Sequence, residues 1–175
     1  MANRKILIAY FSRGGLNYVE GSIVDLSIGN TGIVAMILAQ ETGGDLFKID
    51  PSTPYPKDYH ACTALAQSEK RENARPAILG VLPVIANYDT VLLGYPNYWG
   101  TMPMPVWTFL EALDFTGKTI LPLCTHEGSG MGTSETDLKK ICPTAKVVKG
   151  LSVYGSKANS ANRIIREWLR QNEII

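Results

Sequence analysis

Short apolar runs alternate along the chain with segments whose apolar positions recur every three or four residues. Lys5-Ile6-Leu7-Ile8-Ala9-Tyr10 is apolar at consecutive positions, so both its faces need burial, as in a strand inside a parallel sheet. Thr90-Val91-Leu92-Leu93-Gly94-Tyr95 has the same character. Shorter strands are predicted over 45–50 (Leu46, Phe47, Ile49), 118–124 and 146–154, the last interrupted by Gly150. Between these runs the period changes. Val34, Ile37 and Leu38 fall at i, i+3, i+4 ahead of Gly43-Gly44, which predicts a helix over 31–42 stopped by glycine. Val106, Phe109, Leu110 and Leu113 predict another over 105–113, with prolines at its start where they are tolerated. Helices are also expected over 57–74, with a weak apolar stripe, and over 134–142. A last helix presents Ala161, Ile164, Ile165, Trp168 and Leu169 on one face.

The resulting order, βαβαβαβαβα, requires parallel pairing through right-handed crossovers. The expected fold is a three-layer α/β domain spanning residues 1–175, one open five-stranded sheet with helices on both faces. Ligands on such sheets bind beyond the carboxyl ends of the strands, where strand order reverses. Attention therefore falls on the segments after the first, third and fourth strands, all rich in Gly, Ser, Thr, Asn and aromatic residues.

Composition narrows the function. With 45% hydrophobic and 19% charged residues, the chain has material for a core and is not disordered. Lys+Arg 17 against Asp+Glu 16 leaves a net charge of +1, too little to gather nucleic acid or an anionic membrane surface. No apolar run reaches membrane-helix length, and the run after the basic Arg4-Lys5 is too short for a signal-peptide core. Cys62, Cys124 and Cys142 are odd in number and unpaired in spacing, which argues against a disulfide framework or a zinc site and for a cytoplasmic protein.

Phe11-Ser12-Arg13-Gly14-Gly15 follows the first strand, and Gly29-Asn30-Thr31-Gly32 opens the first helix. Hydroxyls and free N–H groups at a helix N-terminus form an anion site without a lysine, although Asn30 or Thr31 can equally serve as a plain cap. The stretch between is too long for a tight phosphate turn. Either it loops out and leaves Ser12 beside Asn30 and Thr31, or there is no anion site here. No P-loop motif is present.

After the third strand, Pro96-Asn97-Tyr98-Trp99-Gly100 places two adjacent aromatics in a Pro/Gly-rich loop. Such rings suit stacking on a planar heteroaromatic ligand; the alternative is packing against a neighbouring helix. After the fourth strand, Thr125-His126-Glu127-Gly128-Ser129-Gly130 can wrap a ring edge with exposed N–H groups. It fits neither a dinucleotide fingerprint nor a nucleophile elbow. His126, Glu127 and Ser129 stand too close in sequence to converge as a triad. A metal site is not expected, since the other histidine, His60, lies in the second helix.

These three segments together resemble the flavodoxin-like family, in particular a bacterial branch with a long insertion in the first loop. The resemblance covers essentially the whole chain and implies strand order 2-1-3-4-5 with FMN at the switch point. It implies that Ser12, Asn30 and Thr31 hold the FMN phosphate, with Arg13 or Asn17 as substitute donors where the insertion displaces the usual compact turn. Pro96 through Gly100 would line one side of the isoalloxazine and Thr125 through Gly130 the other. Two functions follow. One is an FMN-dependent oxidoreductase passing electrons from NADH or NADPH to a small quinone-like acceptor. The other is a one-electron carrier serving partner redox proteins. Carriers commonly use a single-sign surface for steering, and a net charge of +1 favours the first. The chemistry resides on FMN, so no side chain is assigned as catalytic; His126 is the one candidate that titrates near neutral pH.

Overall fold

The computed structural model describes residues 5–175, so Arg4 of the basic N-terminus lies outside the described residues. In chain order the elements are β1 (Ile6–Tyr10), β2 (Gly15–Val19), β3 (Ser22–Leu26), α1 (Asn30–Thr42), β4 (Asp45–Lys48) and α2 (Tyr59–Arg71). They continue with β5 (Thr90–Pro96), α3 (Met104–Glu111), β6 (Thr119–His126), α4 (Ser134–Ile141), β7 (Lys146–Val147), β8 (Leu151–Tyr154) and α5 (Asn162–Gln171).

The main sheet runs β4-β1-β5-β6, with β7 and β8 both paired to β6, and every pairing in it is parallel. That is the expected 2-1-3-4-5 order. Its central strands are apolar on both faces because each face meets a separate core. On one side Leu7, Ala9, Val91, Leu93, Ile120 and Cys124 pack with Phe109 and Leu138 of α3 and α4. On the other Ile6, Ile8, Leu92, Leu121 and Leu123 pack with Val34, Leu38, Ile165 and Leu169 of α1 and α5.

The interruption expected at Gly150 is present, and the segment after the first strand departs from the expectation. The fifth strand is broken into β7 and β8, where Gly150 turns its N–H to the Glu135 carboxylate at 2.7 Å. Beside that break in the neighbouring strand stands Pro122, which has no N–H to offer a ladder. The segment after the first strand is a separate antiparallel hairpin, β2–β3. Its two-residue turn is Glu20-Gly21, with φ 47° and 88°, the doubly left-handed turn that matches strand twist.

Among the described residues, no helix is long and apolar enough to cross a membrane. The three cysteines are free and buried.

Candidate functional site

The hairpin resolves the first loop in favour of looping out. Its root closes on itself, so that Ser12 returns to the N-terminus of α1 and its Oγ accepts the Gly32 N–H at 2.9 Å. Gly29 sits at the junction with φ −64°. A Cβ there would collide with Ser12 Oγ and the Arg13 carbonyl oxygen, so only glycine permits this approach. Since Ser12 Oγ accepts, its own proton is available to a ligand. The Asn30 side chain lies at the helix mouth against Gly155. The resulting donors at this helix mouth, Ser12 hydroxyl, Asn30 amide and the first N–H groups of α1, form a set suited to an anion.

Three of the residues expected at this anion are otherwise engaged. Thr31 is buried, and its hydroxyl meets that of Thr125 at 2.8 Å; it offers the helix mouth a backbone N–H and not its hydroxyl. Arg13 spends its guanidinium on backbone carbonyls: Nη1 donates to Gly14, Pro56 and Lys57, and Nη2 to Leu16. Asn17 donates its amide to the carbonyls of Arg13 and Gly15. Arg13 and Asn17 therefore fasten the hairpin root. Buried Arg13 Nε has no hydrogen-bond partner, a cost the four carbonyl contacts offset.

The loop after β5 is a tight turn in which Tyr98 N–H donates to the Thr101 carbonyl at 2.9 Å. Trp99 and Gly100 occupy its two left-handed positions, φ 56° and 86°. A tryptophan in that region costs on the order of 1–3 kcal/mol and persists only where its surroundings over-determine it. They do. Asn97 Oδ1 accepts the Gly100 N–H at 2.8 Å, Trp99 Nε1 donates to the Thr63 carbonyl at 2.8 Å, and Lys70 Nζ caps the Trp99 carbonyl. The strained backbone turns the indole outward, 46% exposed. Tyr98 goes the other way, half-buried in edge contacts with Phe11 and Tyr55, its hydroxyl 3.8 Å from Cys62 Sγ. Of the two adjacent rings, Trp99 is presented to the crevice, and Tyr98 takes the packing role.

Asn97 also joins the second and third loops, since its Nδ2 donates to the Gly130 carbonyl at 2.9 Å. In the third loop Gly128 and Ser129 are exposed, and Gly128 and Gly130 have positive φ. His126 Nδ1 accepts the Gly128 N–H at 2.9 Å, and its ring lies 4.5 Å from that of Tyr154. Burial holds the His126 pKa below the usual histidine range, against the opposing pull of Glu127. The imidazole is thus a neutral loop-shaping group at pH 7. Glu127 accepts from the Ser156 N–H at 2.7 Å and from the Glu20 N–H at 3.2 Å, so it ties the loop to the hairpin tip.

Between these segments lies a cleft of about 310 Å³, lined by Arg13, Asn17, Asn97, Tyr98, Trp99, Gly100 and Ser129 and, across from them, by α2. The α2 residues are Tyr59, Cys62, Thr63 and Ala66. No sequence motif pointed to these four. Their signal is the spacing i, i+3, i+4, i+7, one helical face, which explains why the apolar stripe of this helix is weak: it lines a cleft as well as a core. Among the described residues no cluster of His, Cys, Asp and Glu is placed to hold a metal ion.

The likeness to known proteins follows the same geometry. A candidate flavoprotein from Bacteroides eggerthii is 32% identical, over 96% of this chain and 97% of its own, with a TM-score of 0.77. Another, from Bacteroides uniformis, is 26% identical over 95% and 98%, TM-score 0.72. A Lactobacillus acidophilus flavoprotein solved in complex with FMN is 19% identical over 90% and 97%, TM-score 0.66, and shares the fold. No curated protein matches the chain. The family model for flavodoxin matches residues 5–172, which takes in β1 through α5 and all three loops at the carboxyl edge, and by that match the chain belongs to the flavodoxin family.

Proposed function

We propose that this protein binds FMN noncovalently along the carboxyl edge of the sheet and works as an oxidoreductase between NADH or NADPH and a small quinone-like acceptor. The observation that carries the binding step is the donor set at the mouth of α1, brought together by the close approach that Gly29 permits. Ser12, Asn30 and the first N–H groups of the helix would take the phosphate. The turn at Pro96–Gly100, stiffened by Asn97, gives a fixed wall ending in the exposed Trp99 indole. Thr125 through Gly130, whose exposed Ser129 can donate its N–H to a ring edge, form the other. Bound there, FMN would supply reversible transfer of one or two electrons. The chain's contribution is to fix the ring plane and to keep His126 uncharged beside it. Membership of the flavodoxin family and the FMN complex of the Lactobacillus acidophilus protein support the cofactor. The near-neutral charge, +1, supports a small acceptor over electrostatic docking of a protein.

The test begins with the absorbance spectrum of the purified protein and with FMN and riboflavin titrations of the apoprotein. FMN is expected to bind more tightly, each charge-assisted phosphate bond contributing about 1.5–3 kcal/mol. Anaerobic NADH or NADPH should then bleach the flavin, and a quinone should restore the colour over many turnovers. Equal affinity for riboflavin removes the phosphate site. Bleaching only through a separate reductase assigns the protein to the carriers.

A further inference from the structure

The hairpin β2–β3 has no counterpart in the βα units around it, and its attachments are uneven. At its root Arg13 reaches four carbonyls, and the Leu16 N–H donates to the Lys57 carbonyl at 3.1 Å. One residue short of the tip segment, Tyr18 meets Tyr59 of α2, ring centroids 6.2 Å apart. The tip is held by two contacts at the opposite side of the sheet: the Glu20 N–H on the Glu127 carboxylate, 3.2 Å, and Glu20 Oε1 on Lys157 Nζ, 3.2 Å. Both partners of that ion pair are exposed, 62% and 66%. A Cβ built on Gly21, next to Glu20 in the turn, meets nothing.

Distance shows what lies beneath. The root is at the end of β1 and the tip contacts flank the ends of β6 and β8, two and three strand spacings away, or about 10–14 Å. A five-residue strand spans roughly 16 Å. The hairpin therefore crosses the carboxyl edge from the first loop to the third, over the ends of β5 and β6, and Asn17 on it lines the cleft below.

We propose that the hairpin is a strap over the cofactor crevice, fixed at its root and released at its tip, so that FMN enters and leaves only when the Glu20 contacts open. This rests on the FMN reading above and adds to it the route of exchange. An exposed ion pair contributes little. The latch is thus weak enough to open often and strong enough to slow exchange measurably.

The experiment follows FMN association and dissociation by stopped-flow fluorescence. In Glu20→Ala/Lys157→Ala both rates should rise by about two- to five-fold, leaving affinity nearly unchanged. High salt should accelerate exchange in the wild type and have a smaller effect in the double variant. Joining Glu20→Cys to Lys157→Cys with a short bis-maleimide should slow exchange at least ten-fold; the native thiols are buried and react later. Amide hydrogen exchange of the apoprotein gives a readout independent of FMN. Val19 to Ile23 should exchange faster than Leu16 and Asn17, and faster still in the double variant. Unaltered FMN exchange in the cross-linked protein overturns the strap, as does uniform protection along the hairpin. Failure of FMN binding itself appears separately, as absence of quenching in every variant, and the amide exchange then still decides whether the tip opens.

Discussion

Replacing Gly29 by alanine should be among the most damaging one-carbon changes available to this protein, although the backbone there, φ −64°, suits any residue. The cost is therefore steric and can be worked out. The added carbon would lie 2.8 Å from the Arg13 carbonyl carbon, and closer still to that carbonyl's oxygen and to Ser12 Oγ. Carbon atoms in contact prefer about 3.5 Å or more, so the Ser12-Arg13 segment must retreat by roughly 0.7 Å. Two of the three clashing atoms are backbone, which no rotamer change relieves. Overpacking of this kind costs about 1–3 kcal/mol. Retreat also stretches the 2.9 Å bond from Gly32 N–H to Ser12 Oγ, a helix-capping contact worth about 1 kcal/mol. Urea unfolding of the apoprotein, followed by far-ultraviolet circular dichroism, should show a loss of about 2–4 kcal/mol for Gly29→Ala and about 1 kcal/mol for Ser12→Ala. The double variant should lose less than the sum, because Ser12→Ala removes one of the clashing atoms. A Gly29→Ala protein within about 0.5 kcal/mol of wild type would refute the close approach, and with it the anion cradle built on it.

Other expectations are independent of that junction. Burial raises the Glu69 carboxyl pKa, against the lowering effect of its hydrogen bond from Tyr55, so the folded state holds this proton more tightly than the unfolded chain. The stability this gives is fully present below the unfolded carboxyl pKa and is lost as pH rises through the folded one; Glu69→Gln should raise the melting temperature at pH 7 and change it little at pH 4. Cys124 is fully buried and its thiol is pushed up to about 12 by desolvation, so it should label slowly in native protein and rapidly in urea; fast native labelling contradicts its place in the core. Trp99→Ala should weaken FMN binding by about 1–3 kcal/mol and restore flavin fluorescence, whereas unchanged quenching would place the indole away from the ring.

What could be read in the sequence and what could not divide along physical lines. Ile6–Tyr10 and Thr90–Pro96 announce themselves because both faces of each strand are buried, a property of the strand's own residues. Parallel pairing followed from the alternation of elements, and the strand order from the family resemblance. The hairpin escaped because Leu16, Tyr18 and Ile23 are a sparse, partly exposed set and Glu20-Gly21 is a weaker turn signal than Asn-Gly. The break in the last strand was legible at Gly150, whereas Pro122 standing beside it in the neighbouring strand was not. The three loops do follow the ends of β1, β5 and β6, but the direction of individual side chains could not be read from the sequence. The Thr31 hydroxyl turns inward to Thr125, and Arg13 is consumed by four backbone carbonyls, two of them more than forty residues away. Those outcomes are set by tertiary neighbours, to which sequence spacing is blind.

Helix α2 is fastened to the rest of the molecule more by polar contacts than by packing. Only Cys62 and Ala66 of its thirteen residues are buried, both small, and the same two line the cleft. A helix with so thin an anchor lacks a layer of packing that other helices obtain from the sheet. A flat ligand in the cleft would supply that layer, so occupancy and folding of α2 are coupled, and ligand should raise the melting temperature in proportion to the logarithm of its concentration. Seen this way, the cleft is an unfinished part of the core that the cofactor completes.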